Sequence, residues 1–186
     1  DGVVMNTGYD RFSGRINTEY NVSDKVRIGQ HLNISFSNQA QIPGEAGDDN
    51  PNSLAYRIHP FIPVRDAGGN FAGNGAAGLG NAANPVAALS RANQLGNNTR
   101  SNRTFGDAYL EYDPIENLTL KTSFGVNNRM DRQRTVTALN PEHSEPVSTT
   151  QLVEDTYEQT SWVWSNTAAY NRSFDNHNLS ALVGVE

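Results

Sequence analysis

Residues 9–36, YDRFSGRINTEYNVSDKVRIGQHLNISF, read as two long amphipathic strands joined by a tight turn. In the first, Phe12, Gly14, Ile16, Thr18 and Tyr20 alternate with Arg11, Ser13, Arg15, Asn17 and Glu19. That period of two puts one set on each face of a strand, and a helix cannot use it. Ser23, Asp24 and Lys25 supply turn chemistry. The second strand sets Val26, Ile28, Leu32, Ile34 and Phe36 against Arg27, Gly29, His31, Asn33 and Ser35, with Gln30 as a polar interruption. Strands in water usually run roughly 3 to 10 residues. A tilted strand that crosses a bilayer needs about 9 to 11, apolar toward lipid and polar toward an aqueous lumen. The length and the two-faced pattern of residues 9–36 both match that description.

The same plan recurs twice. Strands are expected at about 9–22, 26–38, 103–112, 118–129, 159–173 and 179–186, paired as three long hairpins. Between the hairpins lie two long segments, about 40–102 and 130–158. The first is far longer than the usual connection of roughly 4 to 6 residues, so it should carry short elements of its own. Residues 59–73, HPFIPVRDAGGNFAG, have the composition of a small hairpin. In residues 84–95, Asn84 and Pro85 open a short helix as cap and first helical residue, and Gly96 ends it.

All three tight turns, near Asp24, Ile115 and Asn176, fall at one end of the strands, and the long segments fall at the other. Tyr20, Tyr112 and Tyr170 stand a few residues before those turns and, with Trp162 and Trp164, form a candidate aromatic girdle on the lipid-facing side. The expectation is an all-β chain: an antiparallel up-and-down transmembrane β-barrel segment in a bacterial outer membrane, its long loops extracellular. The alternative is a soluble or surface-exposed β-sandwich module that binds glycan or acts in adhesion without transport.

Composition narrows the partners. Across 186 residues, 14 basic and 20 acidic side chains give a net charge of −6 with no basic cluster, which argues against nucleic acid. There is no cysteine, so neither disulfides nor thiolate metal sites arise. A mean hydropathy of −0.61 and the lack of a long apolar run exclude a membrane-spanning helix but not barrel strands, which are only half apolar. The final run, LSALVGVE, alternates to its last residue, so neighbouring strands are expected to complete the sheet.

Motifs for chemistry are weak. His31, His59, His143 and His177 are dispersed and lack metal-ligand spacing. GDDNPN, residues 47–52, is oxygen-rich enough to consider calcium but lacks the distal bidentate acid of an EF-hand loop; a solvated loop is the better reading. GNGAAG, residues 73–78, matches a dinucleotide fingerprint only formally, because no βαβ unit surrounds it. No nucleophile–base pair or carboxylate dyad can be argued from spacing, so no enzyme is expected and no cofactor is assigned.

The ordered set of residues 9–37, then PFIPVRDAGGNFAG, NPVAAL, FGDAYLEYDPIENLTLKTSFGVN and HNLSALVGVE resembles the barrel region of SusC/RagA-like TonB-linked outer-membrane proteins of Bacteroidota. The resemblance implies a larger barrel of about 22 strands with a plug in its lumen. This chain would contribute wall, lumen lining and outer loops, while the plug domain and TonB box are absent from it. The resemblance further implies import of a nutrient such as glycan oligomers or peptides, with a SusD-like surface lipoprotein, the TonB complex and outer-membrane lipid as partners. On this reading Arg11, Arg15, Glu19, Arg27, Asp107, Glu111 and Lys121 line the lumen or substrate path. Tyr56, Phe61, Phe71 and Tyr157 are candidate loop contacts, because aromatic rings can stack on sugar faces.

Overall fold

The computed structural model describes residues 2–44 and 50–186. Its elements run β1 (Tyr9–Ser23), β2 (Val26–Ala40), α1 (Pro51–Arg57), α2 (Pro85–Gln94), β3 (Asn98–Ile115), β4 (Leu118–Thr137), β5 (Gln151–Phe174) and β6 (His177–Val185). The six strands form one antiparallel sheet in sequence order, β1 through β6. Two-residue turns join β1 to β2, β3 to β4 and β5 to β6. Asn117 and Asp175 in these turns adopt left-handed φ values of 69° and 50°. Asn and Asp are the non-glycine residues that tolerate this region best, because a short polar side chain can bond locally. In the last hairpin Ala168 faces Val183 and Tyr170 faces Ala181, so these four share one side.

The order of strands corrects the expectation of a transmembrane β-barrel. β1 and β6 are the two ends of an open sheet and do not pair with each other. Expected as a segment of a larger barrel, the six strands form an open sheet that is not closed into one, and the assignments "barrel", "membrane protein" and "outer membrane with extracellular loops" are withdrawn for them. Alternation misled because it reports the two faces of a strand, not which strands close on each other. Among the described residues no helix is long and apolar enough to cross a membrane. The supposed long loops are also partly strand: β3 begins at Asn98, β4 runs to Thr137 and β5 starts at Gln151.

Contacts divide the chain into two compact units. The first comprises Asp1–Asp10, Ser37–Arg100 and Asp131–Thr156. It contains the buried side chains of the described residues, Leu54, Ala82, Ala87, Leu89 and Ala92 among them. α2 forms where the sequence places it: the Asn84 side chain accepts from the Val86 and Ala87 amides, Pro85 is the first helical residue, and Gly96 turns left-handed at φ 70°. α1, which packs on α2, uses the same device, with Asn50 as cap and Pro51 as first residue. Burial of Leu54 between them contributes about 1.5 to 3 kcal/mol.

Three asparagines are buried in this unit, and each bridges separate segments. Asn84 donates to the carbonyls of Val64 and Ala72, both at 2.9 Å. Asn97 both donates to the Val136 carbonyl and accepts from the Val136 amide, at 2.9 and 2.7 Å. Asn74 donates to the Gly80 carbonyl at 2.8 Å and accepts from the Ser144 amide at 3.0 Å. The hairpin read at residues 59–73 is present as a single bridge between Arg65 and Phe71.

The second unit comprises Arg11–Phe36, Ser101–Met130 and Tyr157–Glu186. None of its side chains is fully buried; it is held by strand pairing and by contacts across neighbouring strands. The Asp113 amide bonds the Lys25 carbonyl, and the Asn171 amide bonds the Asn117 carbonyl, each at 2.9 Å, so successive hairpins are stitched together beside their tight turns.

Asn84→Ala removes a helix cap and leaves two carbonyls without their donor. It should destabilise the chain by about 2 to 4 kcal/mol in urea unfolding. Asn84→Asp retains the cap oxygen but not the donor, and should fall between the two; equality of all three curves would refute the bridging role.

Candidate functional site

The densest cluster of charged side chains lies on one face of the sheet unit, and strand parity explains it. Asp107, Tyr109 and Glu111 alternate along β3, so all three project to the same side. Arg27, Gly29 and His31 do so on β2, with Glu19 on β1 and Lys121 on β4. Glu111 is at the centre: Arg27 Nη2 lies 2.6 Å from its Oε2 and Lys121 Nζ lies 2.9 Å from its Oε1. His31 Nδ1 is 3.1 Å from Asp107 Oδ1, and the Tyr109 hydroxyl donates to Glu19 Oε2 at 2.6 Å.

The Tyr109 ring reaches Glu19 across β2, and Gly29 leaves room for it. A Cβ at position 29 would run into the Tyr109 ring and hydroxyl. The ring stacks on His31 at 5.7 Å, with the Lys121 ammonium 4.1 Å from its centroid. A glycine inside a strand marks such a close approach.

The electrostatics follow from these contacts. The Lys121 hydrogen bond, aided by Arg27, holds the Glu111 carboxyl below its ordinary range, against partial burial that acts the other way. The hydrogen bond to Glu19 raises the Tyr109 phenol, because ionisation would set two anions face to face. The face presents fixed charges and an anchored ring, which suit it to reversible polar contacts. Among the described residues no group of acids and histidines could hold a metal ion.

The seven residues expected on a substrate path therefore separate. Glu19, Arg27, Asp107, Glu111 and Lys121 gather in this cluster, together with Tyr109 and His31, which the alternation did not single out. Arg11 and Arg15 lie outside it on the exposed β1, where Arg15 donates to Asn17 at 3.3 Å. On the opposite face the apolar side chains stay exposed. Trp162 stacks on Phe124 at 6.0 Å, and the Trp164 indole donates to Thr122. Together with Tyr20, Ile28 and Leu110, Trp164 lines a shallow apolar groove of about 690 Å³. Tyr112 is also exposed, and Tyr170 is half-buried.

The candidate loop aromatics take different environments. In the helix-bearing unit Tyr56 is 92% and Phe61 is 86% exposed. Phe71 is instead held between two guanidinium groups, Arg65 at 4.5 Å and Arg91 at 5.5 Å from its ring. Arg91 also forks onto Glu142. Burial pushes the Glu142 carboxyl up, but the Arg91 fork and its neighbours outweigh it and leave the group lowered. Tyr157, in the sheet unit, is exposed and donates to Gln159. Of the oxygen-rich stretch weighed for calcium, residues 47–49 lie outside the described residues, while Asn50 acts as the α1 cap.

No family model matches the chain. Two curated proteins of Formosa agariphila are similar along its length. TonB-dependent receptor P3 is 29% identical over 201 residues, covering 99% of this chain and 18% of that protein. TonB-dependent receptor P26 is 25% identical over 192 residues, covering 100% and 18%. Among solved structures, the RagAB peptide importer in its open-open state superposes with a TM-score of 0.69 at 25% identity, over 96% of this chain and 20% of that one. A second RagAB peptide transporter structure gives 0.70 at 23% identity. The chain is thus homologous to SusC/RagA-type TonB-dependent transport proteins and spans about a fifth of their length.

Because the folded-state pKa of Glu111 is lowered, its ion pairs stabilise the fold above the ordinary carboxylate range. That contribution is lost as the pH falls through the lowered value. Thermal unfolding should show Glu111→Gln less stable than the parent at neutral pH, with the gap closing in acid; a gap that widens in acid would contradict the assignment. Gly29→Ala should cost about 1 to 3 kcal/mol, the range for inserting a methyl where a ring already sits.

Proposed function

We propose that this chain is a substrate-facing part of a TonB-linked uptake system that imports glycan oligomers or peptides together with a SusD-like partner protein. The observation that carries this reading is the similarity along nearly the whole chain to TonB-dependent receptors and to a peptide importer. The charged face around Glu111 and Tyr109 supports it chemically. Peptides and sugars both present hydrogen-bonding groups beside apolar surface, and this face offers carboxylates, cations and an aromatic ring within one cluster. In the other unit the exposed Tyr56 and Phe61 supply rings for stacking on cargo or for seating the partner.

A second reading is a surface-exposed glycan-binding or adhesion module that holds its ligand without transporting it. The open sheet favours it, since an open sheet needs no lumen for its polar face to bind from. The described strands form a single sheet rather than two packed sheets, so such a module would not be a sandwich.

The two are separated by measuring retention and uptake of labelled peptides and oligosaccharides by cells that make the full protein, with and without TonB. Uptake that requires TonB supports the first reading; retention unaffected by TonB, with no internalisation, supports the second. Replacing Tyr56 and Phe61 together by alanine should leave folding intact and weaken cargo or partner binding roughly fivefold for each ring that contributes, the equivalent of about 1 kcal/mol. Unchanged binding of both cargo and partner would remove these rings from the proposal.

A further inference from the structure

The segment GNGAAG, residues 73–78, contains Asn74–Gly75, the chain's one Asn-Gly dipeptide. In a mobile chain this dipeptide is chemically labile. The backbone nitrogen of the glycine loses its proton and attacks the asparagine Cγ, the bond from Cγ to Nδ2 breaks, and ammonia leaves. Water then opens the cyclic imide at either carbonyl, giving aspartate or isoaspartate. Glycine permits this because it lacks a β-carbon to hinder the approach.

Each requirement of that reaction is opposed by the fold. Asn74 is 0% exposed. Its carboxamide is fixed at both ends, donating to the Gly80 carbonyl at 2.8 Å and accepting from the Ser144 amide at 3.0 Å. The attacking nitrogen is engaged as well, since the Gly75 amide donates to the Glu142 carbonyl at 3.1 Å. The preceding Gly73 lies so close to Glu142 that a Cβ would strike its backbone, which keeps residues 73–75 against residues 142–144.

We propose that Asn74 is a conformationally masked deamidation site, preserved while this clip is closed and converted once the segment opens. The conversion makes opening irreversible. The product carboxylate has no hydrogen to donate, so its oxygen would oppose the Gly80 carbonyl oxygen, and a negative charge would be placed in a buried site. An isoaspartate adds a methylene to the main chain and shifts the register of the clip.

The full chain is incubated at mildly alkaline pH, once folded in mild detergent and once unfolded in urea, and conversion at the Asn74 peptide is followed by mass spectrometry. Conversion should be at least roughly tenfold slower in the folded chain, since reaction then requires local opening. Equal rates would overturn the masking. Gly75→Ala, whose added carbon meets only ordinary contact with Glu142, should slow conversion in urea; no slowing would overturn the dipeptide mechanism. Asn74→Asp should expose residues 73–80 to limited proteolysis, and a cleavage pattern identical to the parent would overturn the irreversibility.

Discussion

Backbone amides and carbonyls removed from water must find partners, and in the helix-bearing unit buried asparagine side chains join backbone pairing in supplying them. Its connecting segments are long and glycine-rich. Asparagine suits this role because its side chain repeats the peptide group, one donor end and one acceptor end. Asn74, Asn84 and Asn97 each use both ends. Aspartate could only accept there, and serine could not span the same distance. The same unit holds the small apolar core of Leu54, Ala87 and Leu89.

The sheet unit is stabilised differently. With no side chain fully buried, its order comes from backbone pairing and from polar contacts spanning neighbouring strands. Glu111 ties β2 to β4, and the hydroxyl of Tyr109 reaches from β3 over β2 to β1. These interactions are half-exposed, so each contributes modestly; their value lies in fixing which strands adjoin and in what register.

Much of this was legible in sequence, and the failures have physical causes. The alternation in residues 9–36 identified β1 and β2, and Asn84–Pro85 with Gly96 identified α2, because cap chemistry is local. α1 was missed although Asn50–Pro51 repeats the same signal, since it follows an acidic stretch that reads as loop. The start of β3 was missed where both faces are polar, and the ends of β4 and β5 where apolar residues do not keep a clean alternation. The barrel assignment is corrected for a related reason: a periodic strand specifies its faces and not whether the sheet it joins is a barrel wall. In the candidate site, parity put Tyr109 and His31 on the same face as the acids and bases but gave no reason to select them, because their importance depends on cross-strand distance. Gly29 was the available clue, a glycine where the strand pattern called for a side chain.

The two-residue turns bear on how such a chain can change over time. A hairpin closed this tightly has no slack, so one inserted residue in β1 or β3 would carry every following side chain to the opposite face, mixing Ile16 and Leu110 with Glu19 and Glu111. The connections from β2 to β3 and from β4 to β5 have no such restriction. Length variation among descendants of this chain is accordingly confined to one end of the sheet, while the other end preserves its residue count.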